Sequence, residues 1–77
     1  MLEKVTGFIV SSVDYRETSL VLKIFTKEHG LISVMGKGVK SLKSPLRALT
    51  LPYTYGYFYL YYKEGKLSIL KEVDIIN

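Results

Sequence analysis

A chain of 77 residues has room for one small domain, burying roughly 60% of the surface exposed in its unfolded form, and 48% hydrophobic against 23% charged residues excludes a disordered tail. The lack of cysteine excludes a disulfide framework and any thiolate metal site, and the apolar run GFIVSSV is too short for a membrane span or a secretory signal, so a cytoplasmic protein without membrane contact is expected. The net charge of +4 is unevenly spread: no Asp or Glu occurs between Glu28 and Glu64, a stretch that holds Lys37, Lys40, Lys43, Arg47 and Lys63. Wherever that stretch folds, it creates a local positive field.

The first predicted strand is KVTGFIVSSV, Lys4 to Val13, rich in β-branched residues, with Gly7 in its interior. A glycine there predicts a bulge or sharp bend, the device by which one long strand serves two sheets of a small barrel. After the polar DYRETS, strand two is SLVLKIFT, in which Leu20, Leu22 and Ile24 share one face and Val21, Lys23 and Phe25 the other. KEHG is a tight connection whose Gly30 can take a positive φ. Strand three is LISVM, with Ile32 and Val34 as its core side and Ser33 opposed to them.

From Gly36 to Leu51 no strand pattern holds. GKGVKSLK reads as a mobile basic loop, and SPLRAL as one or two helical turns with Ser44 as N-cap and Pro45 at the first helical position. The tyrosine-rich YTYGYFYLYY forms strand four, and LSILKEVDII strand five, joined by KEGK, where Glu64-Gly65 resembles a two-residue hairpin signal. Five short strands, a bent first strand and a connector between strands three and four predict an all-β, five-stranded OB-type barrel with a short helical turn in that connector; an SH3-like barrel is the alternative.

Enzymatic chemistry finds no support in these residues. The single histidine, His29, stands beside Glu28 and Gly30 with no metal-ligand company and is expected to be a solvated turn residue. Asp14, Ser19 and His29 lack the nucleophile elbow that a triad needs, and the GKG at 36 to 38 lacks the spacing and the following Ser or Thr of a P-loop. No cofactor is called for.

The basic segment is the better site. Lys37, Lys40, Lys43 and Arg47 come three, three and four residues apart, close enough to neutralise successive phosphates and free of acids that would pin them internally. Arg16 and Lys23 are outlying candidates, and the unpaired N–H groups at the Ser44 helical turn add attraction for anions. Such contacts bind the backbone of single- or double-stranded DNA without reading sequence.

Five tyrosines occupy the odd positions from 53 to 61, so their rings project from one face. A two-residue loop at Glu64-Gly65 pairs Lys63 with Lys66 and sets Leu60 against Ile69, Phe58 against Lys71 and Gly56 against Val73 on the core face. On the tyrosine face it sets Tyr61 against Ser68, Tyr59 against Leu70, Tyr57 against Glu72 and Tyr55 against Asp74. Two acids among the rings disfavour a base-stacking platform. Tyr57, Tyr59 and Tyr61 are then either an amphipathic cover for their neighbours or, with Val21 and Phe25, a surface for another protein.

Over Tyr15 to Thr54 the chain resembles the N-terminal domain of the bacterial RecO family of DNA repair proteins. The matching residues are Glu17 to Ser19, the FT.E.G spacing from Phe25 to Gly30, Lys37-Gly38 followed by Lys40, SPLR at Ser44 to Arg47, and LTLPYT at Leu49 to Thr54. The resemblance implies an OB-fold, the whole chain being one N-terminal domain of a longer protein whose further part is helical. It also implies binding of single- and double-stranded DNA, strand annealing, and loading of a recombinase together with RecR and single-strand-binding protein in the nucleoid of a bacterium. The alternative function under the same resemblance is a structural module that docks RecR or the helical domain through Val21, Phe25 and the odd tyrosines, without touching DNA.

Overall fold

The structure is a computed structural model and describes residues 2–40 and 53–76. Five strands follow in chain order: β1 (Leu2–Tyr15), β2 (Ser19–Thr26), β3 (Gly30–Gly36), β4 (Tyr55–Tyr61) and β5 (Ser68–Ile75). They close in the order β1-β2-β3-β5-β4, with every neighbouring pair antiparallel except the short parallel contact of β3 with β5 at Val34–Ser68 and Met35–Ile69. The architecture is the expected OB-type barrel. The helical turn expected at Ser44 and Pro45 lies outside the described residues, and among the described residues no helix is long and apolar enough to cross a membrane.

The barrel closes because β1 serves two partners. Its first half pairs with β4, from Leu2–Tyr61 to Phe8–Tyr55, and its second half with β2, from Gly7–Thr26 to Tyr15–Ser19. Gly7 belongs to both ladders, and a Cβ built on it would stand 2.3 Å from the carbonyl oxygen of Phe25. Its partner across β4, Gly56, is equally confined, with a Cβ falling 2.3 Å from the Asp74 carbonyl oxygen. The bend expected at Gly7 is therefore a close approach of three backbones, which only a residue without a side chain permits. The bulge itself lies further on, between Ile9 and Ser11.

That bulge decides which side chains of β1 face inward. Val5 and Ile9 are buried, while beyond Val10 the inward parity is reset so that Ser12 stands opposite the buried Leu22. The core collects Val5, Ile9, Leu22, Ile24, Val34, Phe58 and Leu60, all fully buried, with Leu20, Leu70 and Val73 at its margins. The alternation expected for β2 holds along its whole length, and Ile32 packs on the core beside Val34 as expected. Val39, beyond the end of β3, also plugs the barrel at 2% exposure, its side chain packed over Gly36.

The β4–β5 register departs from the one a two-residue hairpin imposes. The observed pairs are Tyr61–Ile69 and Leu60–Leu70, then, past a second irregularity, Tyr59–Glu72, Phe58–Val73, Tyr57–Asp74 and Gly56–Ile75. The connection is longer than Glu64-Gly65 alone: the Lys66 N–H bonds back to the Lys63 carbonyl, Gly65 takes φ +69°, and the Lys63 N–H is accepted by Oγ of the buried Ser68. The shift places Val73 rather than Lys71 against Phe58, and Leu70 rather than Ile69 in the core. Burying an unpaired lysine beside the largest core residue is what the observed register avoids. Two consecutive exposed residues, Lys71 and Glu72, mark the offset.

Gly7→Ala is expected to destabilise the barrel by about 1–3 kcal/mol, because the methyl group meets backbone that cannot rotate away. Thermal unfolding followed by far-UV circular dichroism should show Tm falling by roughly 4–8 °C per kcal/mol for a domain of this size.

Candidate functional site

Cross-strand partners share a face, so the three ladders β1, β2 and β3 define the outer surface row by row. The first row runs Tyr55–Phe8–Phe25–Leu31, the second Ser11–Lys23–Ser33, the third Val13–Val21–Met35. Phe25, Leu31, Tyr55 and Phe8 are 51, 59, 48 and 36% exposed, and Phe8 meets Phe25 edge to face with centroids 6.0 Å apart. A cleft of about 240 Å³ opens between these rings, with Lys27 on its rim. No carboxylate belongs to any of the three rows. Lys23 therefore stands between Ser11 and Ser33, flanked by rows of apolar and aromatic residues without a carboxylate.

At one end of this face the chain turns twice. The β1–β2 loop carries Arg16, held at φ 59° with its guanidinium 5.3 Å from the Tyr15 ring centroid. The segment leaving β3 is tied to the same loop: the Lys40 N–H donates to the Thr18 carbonyl at 2.9 Å and the Gly38 N–H to Ser19 Oγ at 3.2 Å. Arg16, Lys37 and Lys40 thus stand at one end of the barrel, where the Gly38 and Lys40 N–H groups tie the segment to the β1–β2 loop. Lys43 and Arg47 lie outside the described residues. The expectation that acids leave this segment free is corrected at Lys40, whose Nζ lies 2.9 Å from Asp14 Oδ2. Asp14 belongs to the last turn of β1, 26 residues away in sequence, and only the β1–β2 hairpin brings it there.

The tyrosine face lies on the other side of β1. Tyr57 stands between Thr6 and Asp74, Tyr59 between Lys4 and Glu72, and Tyr61 between Leu2 and Ile69. The Lys4 ammonium sits 4.3 Å from the Tyr57 ring centroid. Acids do flank the rings as expected, although the pairs differ: Tyr57 takes Asp74, and Tyr59 takes Glu72 in place of Leu70. Tyr55, opposite Phe8 and through it Phe25, joins the tyrosine row of β4 to the outer face of β2, with Val21 two rows further along β2.

His29 is not the solvated turn residue expected from sequence. Its side chain is 24% exposed, its Nε2 pairs with Glu3 Oε2 at 2.5 Å, and its ring stacks on Tyr62 with centroids 3.8 Å apart and planes 7° from parallel. The turn holds the ring there: the His29 N–H donates to Thr26 Oγ1, whose own hydroxyl donates to the Gly30 carbonyl, and Gly30 takes φ +69°. Glu28, next to it, accepts the Thr6 N–H through Oε1 at 2.8 Å. Sequence reasoning had no means to find Glu3 and Tyr62 as partners, since they come from β1 and from the end of β4.

The closed five-stranded barrel is of the OB type. The family model described as the N-terminal domain of recombination protein O matches residues 1–77. Among the relatives, the DNA repair protein RecO of Bacillus subtilis (strain 168) is 38% identical over 76 residues, 99% of this chain and 29% of that protein. That of Shouchella clausii is 36% identical and that of Halalkalibacterium halodurans 37% identical, each over the whole of this chain and 30% of the relative. The chain therefore belongs to the RecO family of DNA repair and recombination proteins, as its N-terminal domain, and spans about 30% of the length of these relatives.

Because the Lys40–Asp14 pair is exposed, with side chains 33 and 72% accessible, it contributes less than about 1 kcal/mol to stability. Lys40→Ala should leave the urea midpoint nearly unchanged, a result that a basic segment held mainly by its backbone bonds to Thr18 and Ser19 requires.

Proposed function

We propose that this barrel is the DNA-binding module of a recombination mediator, acting at the bacterial nucleoid without sequence preference and without catalysis. The observation that carries the reading is the outer face of β2 and β3, strands without a carboxylate, with Lys23 on it and Arg16, Lys37 and Lys40 gathered at one end beside the acid Asp14 of β1. Lys37, Lys40, Lys43 and Arg47 neutralise phosphates, Arg16 and Lys23 extend the track, and Phe8 and Phe25 offer π surface to unstacked bases. Neutralising both backbones lets complementary strands approach, which is the physical basis for annealing. Loading of a recombinase with RecR and single-strand-binding protein is the larger activity into which such a module fits, and it engages the remaining two thirds of the relatives' length.

Four phosphate contacts on a single strand predict a slope of about −2.8 for log affinity against log salt, about −0.7 for each. Fluorescence anisotropy with a labelled oligonucleotide measures it, and binding indifferent to salt rejects the reading. Lys37→Glu with Lys40→Glu should weaken all sequences alike. Asp14→Asn, which frees Lys40, should strengthen binding about two- to five-fold, the equivalent of roughly 0.4–1 kcal/mol. Phe25→Ala should weaken single-stranded binding by about 1–3 kcal/mol and spare duplex.

A second reading is favoured by the exposed Phe8–Phe25–Tyr55 cleft, which is also suited to an apolar side chain of a protein partner, whether RecR or the helical remainder of the family's chain. In that case Phe25→Ser abolishes concentration-dependent association in sedimentation velocity, the lysine substitutions leave it intact, and oligonucleotide affinity is unmoved by either.

A further inference from the structure

One cleft of the barrel is not lined by the basic segment at all. It is a cleft of about 410 Å³ between the start of β3 and the β4–β5 connection, within the roughly 300–1,000 Å³ range of small-ligand sites. Its lining combines two chemistries: the stacked pair His29 and Tyr62 with the apolar Leu31, and Lys63 and Lys66 with Ser33. No carboxylate lines it; Glu64, between the two lysines in sequence, does not, and Glu3 is engaged with His29 Nε2.

We infer that this cleft binds a nucleoside phosphate, with the base against the His29–Tyr62 and Leu31 surface and the phosphate between Lys63 and Lys66. Aromatic rings beside two cations match a ligand that joins a flat heterocycle to an anion, and an acid-free lining spares that anion any like-charge repulsion. The ring pair is pre-organised. Glu3 fixes the imidazole, Thr26 fixes the turn that carries it, and the Lys63 N–H is tied to the buried Ser68, so little ordering remains for a ligand to impose. Leu31 and Ser33 belong both to this cleft and to the outer face of β3, so a strand lying on that face reaches the cleft without leaving the barrel. The ligand is therefore either a free nucleotide or one nucleotide of a bound strand, and both have the same chemistry. The site does not depend on the basic segment.

His29 is the single histidine of the chain, so its two ring C–H proton signals report this cleft alone. At fixed pH, deoxyadenosine 5′-monophosphate should move both signals upfield along a saturating curve with a midpoint of about 1 mM or below, a Kd ordinary for one small contact set. Inorganic phosphate and deoxyadenosine should each need at least about ten-fold more. Lys63→Glu with Lys66→Glu, both at exposed positions, should abolish the response while methyl signal dispersion shows the fold intact. A 12-nucleotide oligodeoxyadenylate acting at a concentration at least about ten-fold lower per nucleotide assigns the site to a strand; equal concentrations per nucleotide assign it to the free nucleotide. Lys37→Glu with Lys40→Glu should weaken the oligonucleotide and leave the monophosphate response unchanged. His29 signals that ignore both nucleotide ligands overturn the inference, even where oligonucleotide binding itself persists and sustains the DNA-binding function. A response to a glutamate-rich peptide that exceeds the response to the monophosphate overturns it equally, by making the cleft a peptide site.

Discussion

The first strand hydrogen-bonds to two neighbours, and at Gly7 the backbone of β2 comes too close for any side chain. There β1 meets both Thr26 of β2 and Gly56 of β4, and carbonyl oxygens stand where a Cβ of Gly7 or Gly56 would project. Everything functional in the barrel depends on this double use of β1. It puts β2 and β3 on one side, with an outer face free of acids, and β4 and β5 on the other, where Glu72 and Asp74 are interleaved with tyrosines. The electrostatic division of the surface is thus a product of strand order.

Closure on the far side rests on very little. The parallel β3–β5 contact spans two pairs, with the fully buried Ser68 at its start and Val39 plugging the opening beyond Gly36. Short parallel pairing contributes few bonds, so side-chain burial does most of the sealing. Ser68 satisfies its buried hydroxyl by accepting the Lys63 N–H, and this one bond also shapes the β4–β5 connection that walls the larger cleft. The core and the candidate ligand site therefore share a residue. The same economy appears at the other end, where the bonds that hold Val39 in place by way of Gly38 and Lys40 also present Lys37 and Lys40 beside the β1–β2 loop.

The charge distribution was legible because it is a one-dimensional property: the gap between Glu28 and Glu64 is read directly, and Lys23 on the outward face of β2 follows from strict alternation. What failed were inferences about space. Lys40 meets an acid from the far side of a hairpin, and His29 is held by partners 26 and 33 residues distant in sequence. Phe8 was missed as an exposed aromatic because its outward direction depends on the bulge after Ile9: without that extra residue, Ile9 rather than Phe8 would stand opposite Phe25. The β5 register failed first at the hairpin, whose connection is longer than two residues, and again at the offset inside the ladder, which moves every later side chain by one more position.

By itself the sequence determined five strands, the confined glycine inside the first, the inward set Leu20, Leu22 and Ile24, the membership of an OB-type family and the segment of the chain that lacks acids. These are properties of period, composition and neighbour order, carried by residues a few positions apart. Tertiary structure alone decided which rows of side chains meet across strands, that the Phe8–Phe25 face is free of acid while the tyrosine face is not, and that His29, Tyr62, Lys63 and Lys66 enclose a cleft. The physical reason is that a bulge shifts a strand by one residue at the expense of one ladder position, a change too small to leave a signal in local sequence and large enough to exchange inside for outside.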